Sequence, residues 1–168
     1  MHLSPEMHLS IVVRLLFLLL LANGTPLVAG KLLGARFLRP VDSGREFVDG
    51  RPLFGRSKTI RGVILAILVT TAGAPLVGLS WRIGMLVGAL AMAGDLFSSF
   101  LKRRLGQLPS SPAVGLDQVP ESLFPLLGCL GPLPLTLADV ALGVAVFLVG
   151  ELLLSRLLYA FDLRERPY

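Results

Sequence analysis

Histidine, cysteine and charged residues are scarce in this chain, and each shortage excludes a class of protein. Of 168 residues, only two are histidine and one is cysteine. His2 and His8 lie near the start, so the rest of the chain can hold neither a histidine-based catalytic triad nor a histidine zinc site. Cys129 excludes a disulfide within the chain, and its apolar surroundings favour a packing role. Charged residues make up 16% of the chain, against about 25% in soluble domains.

Hydrophobic residues are abundant instead, at 54%, and the mean hydropathy is +0.75. This composition excludes a disordered chain and indicates a multi-pass membrane protein. We therefore predict an all-α integral membrane protein, a single membrane domain over 1–168 with five transmembrane helices and two polar cytoplasmic loops. The predicted spans are 11–33, 62–81, 83–101, 122–138 and 140–161, and the loops are 34–61 and 102–121.

The distribution of basic residues predicts the orientation. Fourteen of the 16 Lys and Arg residues fall on the side of the two loops and the C-terminus, and only Arg14 and Arg82 fall on the other. The positive-inside rule then places the protein in the cell membrane with its N-terminus outside and its C-terminus in the cytoplasm. A signal peptide with its apolar core at Leu15–Ala22 is the alternative for the first span, but its removal would leave the basic loop outside. The repeated Met-His-Leu-Ser leaves the true start open between Met1 and Met7.

An aspartate lies inside the third predicted span. Asp95, Ser98, Ser99 and Lys102 share one face of a helix, while apolar residues occupy the opposite face. An ionisable residue within a span usually marks a functional site, and the alternative is a structural ion pair.

The end of the first loop, 49–62, combines three glycines with four cations. Glycines allow a phosphate to approach the backbone, and N–H groups at a helix start point towards it. A P-loop is excluded because Arg56 replaces its lysine and no strand precedes it. Retention of the loop in the cytoplasm by its positive charge is the alternative.

Two acids stand where the second loop meets the fourth span. Asp117 and Glu121 are oxygen ligands suited to a hard divalent cation, or else they serve to cap a helix. Within other spans, Glu151 is a second candidate for a polar interior, and Asn23 and Thr25 are candidates for its wall.

Eight short motifs are typical of one family when taken together: Asp49-Gly50-Arg51, Phe54-Gly55, Ser57-Lys58-Thr59, Arg61-Gly62, Gly94-Asp95, Ser99-Phe100, Lys102-Arg103-Arg104 and Leu116-Asp117-Gln118. Over essentially its whole length the chain resembles the CDP-archaeol synthase family, part of the CTP-dependent phosphatidate cytidylyltransferases. The resemblance implies Mg²⁺-dependent transfer of CMP from CTP to a lipid phosphate, giving a CDP-activated lipid and pyrophosphate.

The resemblance also implies roles for individual residues. The catalytic residues would be Asp95, Asp117, Lys102 and Lys58, and the metal ligands Asp95, Asp117 and Glu121. The residues that bind CTP or phosphate would be Asp49, Gly50, Arg51, Gly55, Ser57, Arg61, Ser99 and Arg103. Where the family commonly has a second aspartate this chain has Pro120, so either Glu121 substitutes or the metal has one ligand fewer.

The expected partners are CTP, a membrane lipid phosphate and the bilayer, with no nucleic acid, and a homo-oligomer stays open. The lipid itself, archaetidic-acid-like or phosphatidate-like, is not decided by the sequence. Three alternatives remain at this stage: a membrane transport or binding protein, a CDP-alcohol phosphotransferase, and a catalytically inactive relative. The second would need an Asp-Gly-x-x-Ala-Arg run, which Asp49-Gly50-Arg51-Pro52 does not continue into.

Overall fold

Five α-helices make up most of the computed structural model, which describes residues 5–34, 36–108, 111 and 113–160. The helices are α1 (Pro5–Leu33), α2 (Ile60–Gly73, continued by a 3₁₀ turn at Ala74–Val77), α3 (Trp81–Arg104), α4 (Gln118–Gly128) and α5 (Leu137–Ala160). The described residues contain no strand, only two isolated β-bridges in the first loop.

Within the described part of the chain, four segments are long and apolar enough to cross a membrane: His8–Leu33, Ile60–Val77, Trp81–Arg104 and Leu137–Arg156. The predicted class, an all-helical multi-pass membrane protein, is thus confirmed. Two helices begin earlier than the sequence predicts, because side-chain caps set their first residues. Thr59 and Ser80 accept hydrogen bonds from the backbone three residues on, so α2 and α3 each begin two residues earlier than predicted.

Glycines bring α2 and α3 into close contact. A Cβ placed on Gly84 or Gly88 would overlap Thr70 of α2, so only glycine allows the two backbones this approach. The spacing of Gly84 and Gly88, four residues apart on α3, is typical of such close packing. Helix α3 also packs on α1 and α4, and it lies at the centre of the bundle.

The fourth predicted span, 122–138, differs in the structure. Helix α4 begins at Gln118 and ends at Gly128, and its 11 residues span only about 16 Å, against roughly 30 Å for a bilayer core. Turns follow it up to the start of α5, because Pro132 and Pro134 cannot continue a helix. The predicted loop 102–121 shortens to 105–117, since α3 continues to Arg104.

Helices α1 and α5 begin side by side. His8 Nδ1 lies 2.9 Å from Asp139 Oδ2, and Asp139 and Thr136 cap the first turn of α5 reciprocally. The two helices therefore run parallel, with their starts at the end of the bundle remote from Arg104.

Candidate active site

A buried aspartate organises the basic loop between α1 and α2. The carboxylate of Asp42, only 5% exposed, accepts backbone N–H bonds from Phe54 (3.0 Å), Gly55 (2.9 Å) and Gly44 (3.0 Å). Burial raises the pKa of Asp42, but these hydrogen bonds outweigh it and lower the pKa below its usual value. The sequence analysis assigned no role to Asp42. The only signal in the sequence that could have indicated one is its position in a loop with several glycines.

Arg104 fastens this loop to the end of α3. Its guanidinium binds the Asp49 carboxylate and donates to the carbonyls of Pro52 (2.6 Å) and Arg51 (3.2 Å). It also lies 4.9 Å from the ring centres of Phe47 and Phe100, which meet edge to face.

Arg51 completes this attachment from the loop side. It donates to the carbonyls of Arg103 (3.2 Å) and Arg104 (2.7 Å), which end α3. Asp49 and Arg51, predicted to bind CTP, are therefore both engaged in contacts within the protein.

Lys58 and Asp95 meet at the start of α2. Lys58 Nζ lies 2.5 Å from Asp95 Oδ1, and the two side chains are 24% and 18% exposed. Thr59 begins α2 directly after Lys58, so the helix start holds the lysine over α3.

A second lysine–aspartate pair lies between the end of α3 and the start of α4. Lys102 Nζ is 2.7 Å from Asp117 Oδ1 and also donates to the carbonyl of Ser111 at 3.1 Å. Asp117 occupies the N-cap position of α4, but its side chain makes no capping bond and accepts from Ala113 N instead, at 3.2 Å. The capping alternative for Asp117 is therefore not what the structure shows.

Glu121 is buried beside Asp95. It is 7% exposed, its carboxyl interacts with that of Asp95, and Lys58 and Glu151 lie near it. Two carboxylates this close repel each other unless positive charge lies beside them, and Lys58 supplies such a charge.

Gly94 allows this meeting of Glu121 and Asp95, because a Cβ there would overlap the Pro120 backbone. Helices α3 and α4 therefore come together at the level of the two carboxylates.

Arg103 is buried at the end of α3, with 3% of its surface exposed. Its Nη2 donates to the carbonyl of Leu108 at 2.8 Å. Its Nε and Nη1 have no hydrogen-bond partner within the described part of the chain. A buried guanidinium with free donors is suited to an anion.

The remaining predicted residues lie around these pairs. Gly50 and Gly55 have positive φ angles of 69° and 96°, which favour glycine. Ser57 is exposed beside Lys58, and Ser99 is buried on α3. Arg61 donates to the backbone carbonyls of Gly34 and Arg36.

The three predicted metal ligands are not gathered into one cluster. Asp95 and Glu121 are in contact, whereas Asp117 pairs with Lys102. Among the described residues no group of three or more His, Cys, Asp or Glu side chains could hold a metal ion.

Cations and carboxylates thus converge where the loop, α3 and α4 meet, at one end of an apolar helical bundle. This arrangement defines a class, the membrane-embedded enzymes that act on phosphate groups. Positive side chains stabilise phosphate charge, and acidic oxygens suit a divalent cation.

Comparison with known proteins narrows the class. A family model described as CarS-like CDP-archaeol synthase matches residues 8–80. A CDP-archaeol synthase of Sulfurisphaera tokodaii is 32% identical over 135 residues, which cover 77% of this chain and 81% of the relative. One from Pyrococcus furiosus is 39% identical over 107 residues, 58% of this chain and 60% of the relative.

A solved intramembrane enzyme of archaeal membrane lipid biosynthesis superposes with a TM-score of 0.74 at 32% identity, covering 84% of this chain and 90% of that one. The chain belongs to the CDP-archaeol synthase family. The family membership and the enzyme class predicted from the motifs, a membrane cytidylyltransferase, are confirmed.

Proposed function

We propose that this enzyme transfers CMP from CTP to an archaetidic-acid-like lipid phosphate at the end of α3. An oxygen of the lipid phosphate attacks the α-phosphorus of CTP, a new P–O bond forms, and the bond to the β-phosphate breaks to release pyrophosphate. The observation that carries the proposal is the contact of Lys58, Asp95 and Glu121, which joins the basic loop, α3 and α4 at one point.

The cations have separate roles in this proposal. Lys58 and Lys102 each balance a carboxylate, and both reach the convergence point from different elements. Bound phosphates would offer the two lysines further negative charge, and this attraction would be stronger in the transition state. Two donors of Arg103 have no partner among the described residues, which supports a role in holding the phosphates of CTP.

The remaining predicted residues of the loop support the site by shaping the loop and holding it in place: Asp49, Gly50, Arg51, Gly55, Ser57 and Arg61. Asp49 and Arg51 hold the loop against α3, and the glycines shape its turns. Ser57 stays exposed beside Lys58 and is free to face CTP. Ser99 lies one helical turn after Asp95 on the inner face of α3.

Two of the three expected ligands would hold Mg²⁺ in this proposal, because this ion is usually bound through one or two carboxylates together with substrate phosphates. Asp95 and Glu121 supply carboxylate oxygens that already approach each other, and a hard cation prefers such ligands. In this proposal Glu121 takes the place of the acid missing at Pro120. Asp117 stays in the neighbouring ion pair with Lys102. When bound, the ion would neutralise phosphate charge.

We also propose that the chain crosses the membrane five times as one domain, with its N-terminus outside and its C-terminus in the cytoplasm. Helix α4 starts at the Asp95 level, and Gly128 at its end touches Leu90, further along α3 from the basic end. The turns after it lead to Asp139, beside His8 at the opposite end. Non-helical backbone at this depth is tolerated where protein surrounds it.

Two experiments test these proposals. Purified protein with radiolabelled CTP and a panel of lipid phosphates should form a labelled CDP-lipid and pyrophosphate, and chelation of divalent cations should stop it. Absence of label in every lipid would refute the activity. A reporter fused after the last residue should be active only in its cytoplasmic form, and external activity would refute the orientation.

A further inference from the structure

An open groove of about 460 Å³ runs along the outer side of the seam between α1 and α2. Its lining recurs every four residues on α1, so these side chains stack on one face of the helix. The groove follows α1 from position 20 to position 33, about 20 Å at 1.5 Å per residue. Its principal residues are Leu20, Gly24, Val28 and Leu32 of α1 and Leu65 and Val69 of α2.

The groove is apolar because a glycine and aliphatic side chains line it and its single hydroxyl is already hydrogen-bonded. Nothing lies within 4 Å of a Cβ built on Gly24, so the space above it is open. The hydroxyl of Thr25 donates to the carbonyl of Leu21 at 2.6 Å, which leaves no free donor in the groove. Val28 and Leu32 are 55% and 79% exposed along its wall. Such a surface inside a bilayer suits a hydrocarbon chain.

The groove has one basic end, which lies beside the start of α2, where Lys58 of the candidate active site is also found. It finishes at Leu33, where Arg61 donates to the Gly34 carbonyl at 3.1 Å. Lys31 is exposed at the same end. Three residues before Arg61, Lys58 reaches Asp95.

We propose that this groove binds one hydrocarbon chain of the lipid-phosphate substrate, with the phosphate emerging at its basic end. The inference rests on the proposed function and adds the place of the lipid tail. Its length of about 20 Å exceeds half of a roughly 30 Å hydrocarbon core, which is the depth one lipid leaflet requires. A lipid chain without a head-group phosphate would match the apolar wall but not the cations at its end.

The variant Gly24→Leu places a bulky side chain in the groove, at a position where a Cβ meets no protein atom within 4 Å. The matched control is Gly30→Leu on the same helix, since Gly30 is also open to 4 Å but lies outside the groove. Displacing even two methylenes from a buried site weakens binding about tenfold. We expect Gly24→Leu to raise the KM for dioleoyl phosphatidate or archaetidic acid about tenfold or more. The KM for CTP should stay unchanged, and Gly30→Leu should match the wild type.

Chain length and labelling provide independent readouts. With dihexanoyl phosphatidate, whose short tails end before Gly24, the variant and the wild type should have equal KM. A diazirine-bearing lipid phosphate should label peptides containing Val28 or Leu65, and unlabelled phosphatidate should compete where neutral diacylglycerol does not.

Each contrary outcome has a distinct meaning. Equal KM values for Gly24→Leu and Gly30→Leu with long-chain substrate would overturn the groove proposal. Equal competition by diacylglycerol would mean that the groove holds bulk membrane lipid, which also overturns it. A wild-type enzyme that uses no lipid phosphate would instead refute the proposed function.

Discussion

The contact between Lys58 and Asp95 offers the sharpest test of the site. Asp95→Asn keeps the side-chain shape and removes its charge. The pair is mostly buried, so its loss should cost stability between the roughly 1 kcal/mol of surface pairs and the 3–5 kcal/mol of buried ones. A catalytic electrostatic contact is worth about 10²–10³ in rate, or 3–4 kcal/mol. We therefore expect cytidylyl transfer to fall about 10²–10³-fold in protein that still folds in detergent.

Two further variants separate catalysis from structure. Asp49→Asn makes the same chemical change at a carboxylate that faces Arg104, so we expect a loss of less than about tenfold. The double variant Lys58→Met/Asp95→Asn removes both charges of the pair, so Lys58 is not left without Asp95, and it should recover part of the lost stability. Activity that returns with stability in the double variant would mean that the pair is purely structural. Transfer by Asp95→Asn within a few-fold of wild type would refute the site assignment.

Four more changes test other parts of the structure. If Glu121 is a metal ligand, Glu121→Gln should lower Mg²⁺-dependent transfer about 10²-fold or more. The stability of this variant should stay within about 1 kcal/mol of wild type in a thermal unfolding assay. Unchanged transfer would exclude Glu121 as a ligand. Asp42→Asn should destabilise the protein by about 1.5–3 kcal/mol in chemical denaturation at pH 7, through weaker backbone hydrogen bonds. Because the pKa of Asp42 is lowered in the folded state, its stabilisation is complete above the unfolded value near 3.8 and is lost as the pH falls through the folded one. The wild-type melting temperature should therefore drop in acid more than that of Asp42→Asn, and equal slopes would contradict this. Gly94→Ala should lower the free energy of unfolding by about 1–3 kcal/mol and remove much of the activity, because the added Cβ forces α3 away from α4. The control Gly150→Ala has open space around it and should be neutral or slightly stabilising. A stable, active Gly94→Ala would show that the helix contact yields easily. Cys129→Ser should lose about 1–3 kcal/mol of stability because the site is buried and apolar, yet its turnover in the CTP assay should be near normal, and an inactive, well-folded variant would implicate the thiol.

Local sequence patterns determined the class of this protein and most of its helices. Long apolar runs have no other stable form in a bilayer, so α1, α2, α3 and α5 follow from hydropathy. The spacing of Gly84 and Gly88 permits close packing, but only the structure shows that α2 is the partner. The motifs also identified the family, because they preserve residues whose chemistry the reaction requires. The short α4 was mispredicted because the apolar stretch continues past Gly128 while prolines stop the helix.

Only the tertiary structure decided which charges meet. Asp42 and Asp49 look alike in one loop, yet one orders the backbone around it and the other binds Arg104. Spacing along the chain likewise cannot show that Glu121 lies beside Asp95 while Asp117 pairs with Lys102. These partners are separated by many residues, and the approach of α3 to α4 at one glycine brings them together. Hydropathy and motifs report the local preference of each segment, whereas the electrostatics of the site depend on distances that arise only when the helices pack.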